Sequence, residues 1–530
     1  MTDVLVIGTG AAGLRASIEA KSRGAKVLAL SKAPAGMNNA TAVSGGGFRA
    51  ALGGLTPEEH FRDTLIVGKG VNDRNLVGVF SKEGGERVSE LRGFGVETRI
   101  DLGGGHVGKP FHTPGYSITK PLVDYARGMG VEFHENVIIT QILEEGGEAV
   151  GAVGYDIRID EPLICSAKAI ILATGGAGAL YKRTDCPLRA IGDGHSLAYR
   201  VGAKLRDMEF VQFFPLALAE QGSPPHLLGG ALTEEGRIIN RLGEEITEKH
   251  RVSLRPLVLK SRDLLSRAIM IEILEGRGVD GSVLIDAREF FKRGSKEGWF
   301  SSGSYEFFRD RLKAGERPLK VAPISHFCMG GIIIDEYGRT NITGLFAAGE
   351  VTGGLHGANR HGGNALTEAM VFGARAGRAA AEFAEDRGHI RIEPKAQPEL
   401  ERYKTIRQAD TDGGMSPRVI FNQLRELMWA KAGIVRDGKT LLEALDAIIQ
   451  LRGSLPMLRA SSSRSMLEAL ETPMALDAAE MIVRAALMRM ESRGAHFRRD
   501  CPEEDDPLWH ASIHLRLGST GDMILEKAPV

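Results

Sequence analysis

Residues 344–373 combine groups that could perform redox chemistry on an anionic molecule. Glu350 follows an apolar stretch, a glycine-dense turn carries the lone Arg360, and Gly362-Gly363 precede a run that predicts a helix. The unpaired N–H groups of a helix N-terminus attract anions, and a guanidinium binds a carboxylate through two parallel hydrogen bonds. Such an arrangement can hold a flavin by its backbone and present Arg360 to an anionic substrate.

A second glycine motif lies at the start of the chain, where an apolar run leads directly into Gly8-x-Gly10-x-x-Gly13. The first glycine permits a tight turn, the second lets the backbone approach a pyrophosphate, and the third allows close helix–strand packing. A helix pattern and a second strand at Lys26–Leu30 follow in the βαβ order of dinucleotide-binding folds. Ser31-Lys32 stand where such folds usually carry an acid, so we expect ribose recognition to differ from the simple NAD pattern.

Two further segments extend the predicted dinucleotide site. Ala169–Thr174 reads as a buried strand that ends in Gly175-Gly176, which predicts a second contact to bound FAD. Asp193 lies between two glycines that open another helix, and we place it near the adenosine half of the cofactor. These patterns predict an α/β fold with a Rossmann-like FAD-binding domain.

The pattern changes twice along the rest of the chain. Loop signals and a helical segment at Leu264–Leu274 predict an inserted α+β capping domain, and a C-terminal helical domain follows later. The predicted parts are an FAD-binding domain in two segments (1–213 and 327–388), the capping domain (214–326), the helical domain (398–495) and a C-terminal tail (496–530).

Length and composition narrow the class of protein. The 530 residues can bury a large core, and the 67 glycines fit close backbone approach to a large cofactor. A formal net charge of -1 without a long charge run argues against binding to nucleic acid or to a membrane surface. No apolar run reaches the length of a membrane span, and the chain enters its first strand without a signal peptide. We expect a cytoplasmic protein, either free or associated with a membrane through partner subunits.

The four cysteines do not form a motif for a metal or a haem. Cys165, Cys186, Cys328 and Cys501 lie far apart, with no CxxC pair and no CxxCH. This spacing excludes an iron–sulfur cluster or a c-type haem carried by this chain alone, and we predict no metal site.

Together these motifs resemble the flavoprotein family of fumarate reductase, succinate dehydrogenase and L-aspartate oxidase. The resemblance covers nearly the whole chain, including the order of its parts. It implies an FAD-dependent oxidoreductase that transfers hydride between flavin N5 and fumarate, succinate or a related unsaturated carboxylate. The motifs that carry it are Gly8-x-Gly-x-x-Gly13, Ala173-Thr-Gly-Gly176, His326-Phe-Cys-Met-Gly-Gly331, Ala348-Gly-Glu350, Gly357-Ala-Asn-Arg360 and Glu491-Ser-Arg-Gly-Ala-His496.

The resemblance also implies a role for each matching residue of the active site. The fixed cations would stabilise the negative charge that builds on the substrate carboxylate in the transition state. Because arginine has a pKa above about 12, it can protonate only a very basic centre and then needs prompt resupply. The implied roles are substrate binding for His326, Arg360 and Thr233, proton donation for Arg262, and a proton relay for Glu234 and Arg237.

The cofactor contacts follow from the same motifs. Glu350 would accept hydrogen bonds from the ribitol or ribose hydroxyls of FAD. The residues predicted to contact the cofactor are Gly8, Gly10, Ala11, Gly13, Ser31, Lys32, Gly46, Gly47, Ala173, Thr174, Gly175, Asp193, Glu350, Asn364, Ala365 and Leu366.

The first departure from the family concerns the attachment of the flavin. Members that oxidise succinate in respiration usually bind FAD covalently through a histidine that precedes a Gln-Gly-Gly turn. When Gly46-Gly47 are aligned with this turn, Ala40 stands at the position of the histidine. We therefore expect FAD to be non-covalent. Loss of the tether generally lowers the flavin potential, which favours reduction of the substrate or of oxygen.

The second departure changes the substrate site. The family has a His-Pro-Thr-Gly turn whose histidine binds the second substrate carboxylate, whereas Phe214 takes its place in Phe213-Phe214-Pro215-Leu216. A phenyl ring cannot hydrogen-bond a carboxylate, and an unpaired anion would be costly. Two explanations are open: His226 in the longer loop takes over the role, or the substrate lacks the second carboxylate.

The third departure affects an alternative activity, the oxidation of L-aspartate. L-Aspartate oxidase carries an acid just before a Gly-Gly-His turn, and here Gly103 stands at that place in the run Gly103-Gly104-Gly105-His106. This disfavours aspartate oxidation, although Asp101 is close.

A further alternative is an electron-transfer subunit, whose FAD relays electrons within a larger redox complex. The retained set of Arg262, Glu234 and Arg237 argues against it, because such a relay needs no proton donor to carbon. Electrons must still be exchanged with another molecule, since this chain encodes no cluster or haem. The candidates are a partner subunit with iron–sulfur clusters, a small reduced carrier and oxygen.

Overall fold

Strands and helices alternate in the first part of the chain, and helices dominate after residue 364. The computed structural model describes residues 1–101, 103–107, 115–294, 305–408 and 415–530. The strands are β1 (Thr2–Ile7), β2 (Val27–Ser31), β3 (Gly47–Arg49), β4 (Thr98–Asp101), β5 (Gly104–Val107), β6 (Glu132–Glu135), β7 (Val137–Glu145), β8 (Glu148–Asp156), β9 (Glu161–Leu172), β10 (Leu205–Arg206), β11 (Val211–Leu218), β12 (Arg237–Ile239), β13 (Val283–Asp286), β14 (Leu319–Cys328), β15 (Gly331–Ile332), β16 (Leu345–Ala347), β17 (Ala511–Leu517) and β18 (Met523–Pro529). The helices are Ala11–Ser22, Ala40–Val43, Pro57–Val67, Arg74–Ser89, Tyr116–Gly128, Asp193–Arg200, Ala231–Glu235, Ile246–Lys249, Leu257–Lys260, Arg262–Leu274, Arg288–Lys292, Asn364–Glu385, Glu393–Gln408, Pro417–Lys431, Gly438–Gly453, Ser463–Met488 and Asp506–Trp509.

A seven-stranded sheet in the order β6-β2-β1-β9-β8-β7, with β16 also paired to β9, forms the frame of the first part. β1 pairs in parallel with both β2 and β9, and β16 pairs in parallel with β9. The strand β9 is longer than predicted, because its first half pairs antiparallel with β8. The carboxyl ends of the parallel strands therefore meet at one edge, where ligands bind in open α/β sheets.

Two helices with small residues pack closely on this sheet. The helix Ala11–Ser22 lies against the helix Asn364–Glu385. A Cβ at Gly373 or Gly377 of the second helix would collide with the backbone of the first. Glycines at these positions let the two helices approach each other and the sheet. Both helices begin at the ligand-binding edge of the sheet.

A second, four-stranded sheet in the order β11-β14-β13-β12 has its own hydrophobic core. The helix Arg262–Leu274 packs on β11 and β14, with Leu265 and Ile269 fully buried. The register of β11 and β14 pairs Phe214 with Ile324. This sheet corresponds to the part of the chain predicted as an α+β capping domain.

The C-terminal part is helical, as predicted. The helix Ser463–Met488 is the longest of the described elements and contains Pro473. The segment predicted as a tail is built into the fold instead, because β17 pairs with β10 and β18, and β10 pairs with β15. No helix within the described ranges is long and apolar enough to cross a membrane.

Candidate active site

A cavity of about 880 Å³ lies at the carboxyl edge of the seven-stranded sheet and extends to the second sheet. Its lining residues range from Ile7 to Ala369, and most of the predicted site residues are among them. These are Gly8, Gly10, Ala11, Ser31, Lys32, Gly46, Gly47, Ala173, Thr174, Gly175, Asp193, Phe214, Glu234, Arg262, His326, Glu350, Arg360, Ala365 and Leu366.

The first glycine motif shapes one wall of the cavity. Gly8 has a φ of +114°, and a Cβ on it would lie 2.2 Å from the carbonyl oxygen of Ala173. A Cβ on Gly10 would meet no atom closer than 3.6 Å, so this position is open toward the cavity. Gly13 does not line the cavity, which corrects its prediction as a cofactor contact. A Cβ there would lie 1.9 Å from the oxygen of Gly8, so Gly13 serves helix–strand packing.

The shape of this wall fits a dinucleotide cofactor. A Cβ at Gly45 or Gly175 would have no neighbour within 4 Å, so both glycines leave room for a ligand beside the backbone. The helices that begin at Ala11 and Asn364 have glycines as N-caps and no side-chain caps. Their N-terminal N–H groups are therefore suited to phosphate or to another anionic group.

A buried ion cluster occupies the Lys32 end of the cavity. The Lys32 ammonium lies 3.0 Å from carboxylate oxygens of Asp193 and Glu471, and Arg189 also pairs with Glu471. Burial alone would lower the pKa of Lys32, but the two carboxylates outweigh this effect and raise it. Ser31 donates a hydrogen bond to the carbonyl oxygen of Ala33. Lys32 thus takes the place of the usual acid and is itself held by two acids.

Glu350 lies in the cavity next to the second glycine-rich strand end. One of its carboxylate oxygens accepts a hydrogen bond of 3.0 Å from the backbone N–H of Cys328. Burial raises the pKa of Glu350 to about 7, although that hydrogen bond works in the opposite direction. A Cβ on Gly176 would lie 2.2 Å from the carboxylate, so only glycine fits beside it.

Two buried guanidinium groups, Arg262 and Arg360, face the same part of the cavity. Each donates a hydrogen bond to the amide oxygen of Gln212, over 3.1 Å and 3.2 Å respectively. Neither forms an ion pair with a carboxylate in the described parts of the chain, and the Nε of Arg360 has no partner there. Gln212 in turn donates to Asn359 and to the carbonyl oxygen of Arg360. The two cations therefore share one neutral acceptor.

The environment of these arginines makes them unusually acidic. Burial, together with repulsion by Arg360, lowers the pKa of Arg262 to about 9. Burial also lowers the pKa of Arg360. An anion between them would relieve both effects, because it would pair with two cations that water cannot solvate.

His326 lines the same part of the cavity as the two guanidinium groups. Its Nδ1 lies 2.7 Å from a carboxylate oxygen of Asp185, a pairing that fixes the orientation of the ring. Burial lowers the pKa of His326 despite this carboxylate. Neither Asp185 nor Gln212 was predicted from the sequence as a site residue. The period of two in β11 could have indicated Gln212, because residues 212 and 214 lie on the same face of the strand.

Apolar side chains line the cavity next to these polar groups. The ring of Phe214 lies 5.1 Å from the guanidinium of Arg262 and 5.5 Å from the ring of His326. The cavity is also lined by Leu227, Leu228, Val258 and Leu259. We call these four residues and Phe214 the apolar wall. Leu228 is held in place by a backbone hydrogen bond to Leu216 of β11.

His226 does not line the cavity, which argues against one of the two explanations for the missing histidine. Its ring packs against the rings of Phe307 and Phe308, at 5.2 Å and 5.9 Å, and does not line the cavity. Partial desolvation lowers the pKa of His226, although the residue is exposed. Its neighbour Leu227 faces the cavity instead, because successive residues of an extended chain point to opposite sides.

Of the two residues of the predicted proton relay, Glu234 lines the cavity and Arg237 does not. The side chain of Arg237 is 61% exposed, pairs with Glu245 and does not line the cavity. Glu234 lines the cavity, and its carboxylate lies 2.9 Å from the guanidinium of Arg255. The other oxygen of Glu234 accepts a hydrogen bond from the backbone N–H of Leu257. Among the described residues, Glu234 therefore contacts Arg255 and not Arg237.

Two other predicted contacts are also corrected. Thr233 is buried outside the cavity, where its hydroxyl donates to the carbonyl oxygen of Gly230. The side chain of Asn364 turns away from the cavity and hydrogen-bonds His60 and Thr64. Each side chain has hydrogen-bond partners outside the cavity, and the family motifs do not indicate these partners.

The positions relevant to flavin attachment and to an amino-acid substrate also line the cavity. Ala40 is among the lining residues, and its methyl side chain offers no atom for a covalent link. Asp101 lines the cavity as well, with a carboxylate oxygen 3.8 Å from the exposed ring of His106. Among the described residues, no cluster of acids, histidines and cysteines could hold a metal ion.

Comparison with known proteins agrees with this architecture. An FAD binding domain matches residues 3–366, and the C-terminal domain of fumarate reductase flavoproteins matches residues 421–530. The chain is 35% identical to one of the subunits of the fumarate reductase (CoM/CoB) from Methanothermobacter marburgensis, over 97% of this chain and 96% of that protein. It is 33% identical to L-aspartate oxidase from Caulobacter vibrioides, over 94% of each chain.

The solved structures confirm the predicted fold class. E. coli quinol fumarate reductase superposes with a TM-score of 0.90 at 27% identity, covering 100% of this chain and 96% of the other. The FAD binding domain that matches these residues, and the relatives that share it, show that the cofactor is FAD. The chain is therefore an FAD-dependent oxidoreductase acting on CH–CH groups, and it belongs to the flavoprotein family of fumarate reductase, succinate dehydrogenase and L-aspartate oxidase.

Proposed function

We propose that this protein interconverts an α,β-unsaturated carboxylate, of the fumarate type, and the saturated acid, with Arg262 as the proton donor. The observation that carries the proposal is the pair of buried guanidiniums of Arg262 and Arg360, which line the cavity and share only the neutral amide oxygen of Gln212. A substrate carboxylate would supply the missing negative charge.

Arg360 and His326 are proposed to hold the substrate carboxylate. His326 would do so as the imidazolium, a form that the carboxylate of Asp185 favours and that a bound substrate carboxylate would favour further. Arg360 packs over the ring of Phe327 at 4.3 Å, and His326 is oriented by Asp185, so neither side chain needs to be ordered when substrate binds. Fixed donors stabilise the charge that develops on the carboxylate oxygens as the double bond is reduced. When bound, FAD supplies the hydride that adds to one of the two carbons in the reducing direction, or accepts the hydride that leaves this carbon in the oxidising direction.

Arg262 is proposed to deliver the proton to the other carbon. Its pKa, lowered to about 9 by burial and by Arg360, makes it a stronger acid than an arginine in water. The hydrogen bond from its Nε to the carbonyl oxygen of Val258 fixes the side chain at the start of the helix Arg262–Leu274. A positioned acid of this strength suits a carbanion-like carbon.

Glu234 and Arg255 are proposed to resupply the proton. Glu234 lines the cavity together with Arg262, whereas the side chain of Arg255 is 50% exposed and in contact with solvent. The carboxylate of Glu234, 26% exposed, thus joins the cavity to the surface through Arg255. This pair replaces the combination of Glu234 with Arg237.

The cofactor is proposed to be held without a covalent bond. The cofactor would lie against the backbone of glycines 8, 10, 46, 47 and 175. Glu350 would accept hydrogen bonds from the hydroxyl groups of the cofactor. Ala40 stands where a tethering histidine would be expected. For electrons, we propose an iron–sulfur partner subunit, since the similar protein from M. marburgensis is named as one subunit of its enzyme.

The test is the substitution Arg262→Ala. We expect FAD content to stay at the wild-type level and turnover with an unsaturated carboxylate to fall at least a hundredfold, about 2.7 kcal/mol in activation free energy. Arg267→Ala, five residues along the same helix, is the control and should keep its turnover. A loss of less than tenfold in Arg262→Ala would refute the role of proton donor.

Oxidation of L-aspartate is the second candidate. It is favoured by the carboxylate of Asp101, which lines the cavity and could pair with a substrate ammonium. Formation of hydrogen peroxide from L-aspartate and oxygen would establish this activity, and Asp101→Asn should abolish it.

A further inference from the structure

We infer that the substrate is an α,β-unsaturated monocarboxylate with a short apolar substituent on its β carbon, rather than a dicarboxylate. This inference rests on the proposed function and specifies its substrate class. The observations that carry it are the composition of the apolar wall and the charges that surround it.

The apolar wall covers the position beside Arg262. Phe214 is only 6% exposed and lies against both Arg262 and His326. Val258 accepts the hydrogen bond from Arg262 through its backbone, and a Cβ on Gly362 would lie 2.9 Å from Leu259 and 3.2 Å from Arg262. A substrate whose carboxylate is bound by Arg360 and His326 therefore has aliphatic and aromatic side chains as its next neighbours.

The hydroxyl and the histidine that could have bound a second carboxylate on this side are unavailable. The hydroxyl of Thr233 is engaged with Gly230, and His226 packs against two phenylalanine rings outside the cavity. Among the described residues, the charged group that lines this side is Glu234, an anion already paired with Arg255, which offers no free cation to a second carboxylate.

The other basic groups deep in the cavity have partners in the described residues. Lys32 and Arg189 pair with acids at the far end, and Arg49 pairs with Asp63 at 2.6 Å. Burial lowers the pKa of His361 to about 4, so its ring is neutral. Its Nδ1 donates to the carbonyl oxygen of Gly362, which leaves the other nitrogen as an acceptor that cannot bind a carboxylate.

His106 reaches the cavity from the small sheet of β3, β4 and β5, and its ring is exposed. A carboxylate oxygen of Asp101 lies 3.8 Å from its Nε2. Because this acid would repel an incoming carboxylate, His106 is a poor site for the second anionic group of a dicarboxylate.

The chemistry of the proposed reaction stays complete with such a substrate. In the reducing direction, the π bond between the α and β carbons breaks. The β carbon takes a hydride from reduced FAD, and the α carbon takes a proton from Arg262. The acid is reduced by two electrons and the flavin is oxidised. The single carboxylate, conjugated with the double bond, takes up the developing charge, so no second carboxylate is needed.

The experiment compares crotonate with fumarate, which differ by a methyl group in place of one carboxylate. Binding of each to the oxidised holoprotein is measured from the change in the flavin spectrum. Reoxidation of the dithionite-reduced protein is followed under anaerobic conditions. We expect crotonate to bind at least tenfold more tightly than fumarate and to reoxidise the flavin at least tenfold faster. Phe214→His should reverse the preference, because an imidazole can donate to the second carboxylate.

Phe214→Leu is the matched control, since it keeps the wall apolar, and it should retain the preference for crotonate. Tighter binding and faster reoxidation with fumarate in the wild-type protein would overturn the inference and leave the proposed function intact. Absence of binding and reoxidation with both acids would overturn the proposed function itself. An unchanged preference in Phe214→His, with its FAD content preserved, would also contradict the inference.

Discussion

The amide oxygen of Gln212 lies 3.1 Å from a terminal nitrogen of Arg262, in a site where this guanidinium has no carboxylate partner among the described residues. An amide in this position orients a cation without neutralising it. A carboxylate of the same length would neutralise it and would compete with the substrate. The neutrality of residue 212 is thus a condition for binding an acid.

The first prediction follows from this relationship. Gln212→Glu should weaken the binding of carboxylate ligands at least a hundredfold, about 2.7 kcal/mol, because the new carboxylate would pair with both Arg262 and Arg360. FAD content should not change. Ligand binding is measured from the flavin spectrum. Gln212→Leu, which removes the acceptor without adding charge, is the control, and an equally large loss in that variant would contradict the explanation.

The second prediction concerns the proton relay. Arg255→Gln should lower turnover at least tenfold, whereas Arg237→Gln should change it less than twofold, because Arg255 contacts Glu234 and Arg237 does not. The solvent deuterium isotope effect on turnover should increase in Arg255→Gln, since proton resupply would then limit the rate. Arg255→Lys should restore part of the activity. Equal losses in the two glutamine variants would argue against this pathway.

The third prediction concerns the attachment of FAD. Acid precipitation of the purified protein should release all of the flavin into the supernatant, because Ala40 offers no atom for a covalent bond. The absorbance of the supernatant and of the washed, redissolved pellet gives the distribution. Flavin that stays with the pellet after washing in denaturant would show a covalent link at another residue.

The fourth prediction uses the raised pKa of Glu350. In the FAD-free folded chain this carboxyl holds its proton up to about pH 7, whereas in the unfolded chain it releases the proton near its ordinary value of 4.5. Its contribution to stability is complete below pH 4.5 and is lost as the pH rises to about 7, by about 3 kcal/mol. Urea unfolding of the FAD-free protein at pH 5 and pH 7.5 measures this decline.

Glu350→Gln is the comparison for that measurement, because its amide does not titrate. Between pH 5 and pH 7.5, the free energy of unfolding of the variant should fall by about 3 kcal/mol less than that of the wild type. A parallel pH dependence in both proteins would mean that Glu350 stays ionised in the folded chain.

Much of the fold could be predicted from the sequence, because its signals are local. The turn at Gly8 and the helix that follows it depend on neighbouring residues, and the motif at Glu350 and Arg360 is equally compact. Pairing between distant strands has no local signal. The last residues were predicted as a tail because nothing in their own sequence indicates that β17 pairs with β10, about 300 positions earlier. The predicted domain boundaries stay a prediction.

The candidate site shows the same division. Arg262, Arg360 and His326 carried recognisable motifs, and the structure brings them to one cavity. The segment between β11 and the helix Arg262–Leu274 contains three short helices and β12. Its path decides which side chains reach the cavity, and no local sequence signal reveals that path. Arg255 replaces Arg237 there, and Leu227 faces the cavity where His226 was considered. A neutral glutamine between two arginines attracts no notice in a sequence, since its role appears only when both cations are in place.

The ion pair between Lys32 and Glu471 joins residues 439 positions apart. A ribosome completes both glycine motifs before it reaches Glu471, and until then Lys32 lacks one of its two carboxylates. This end of the cofactor site therefore exists in full only in a nearly finished polypeptide.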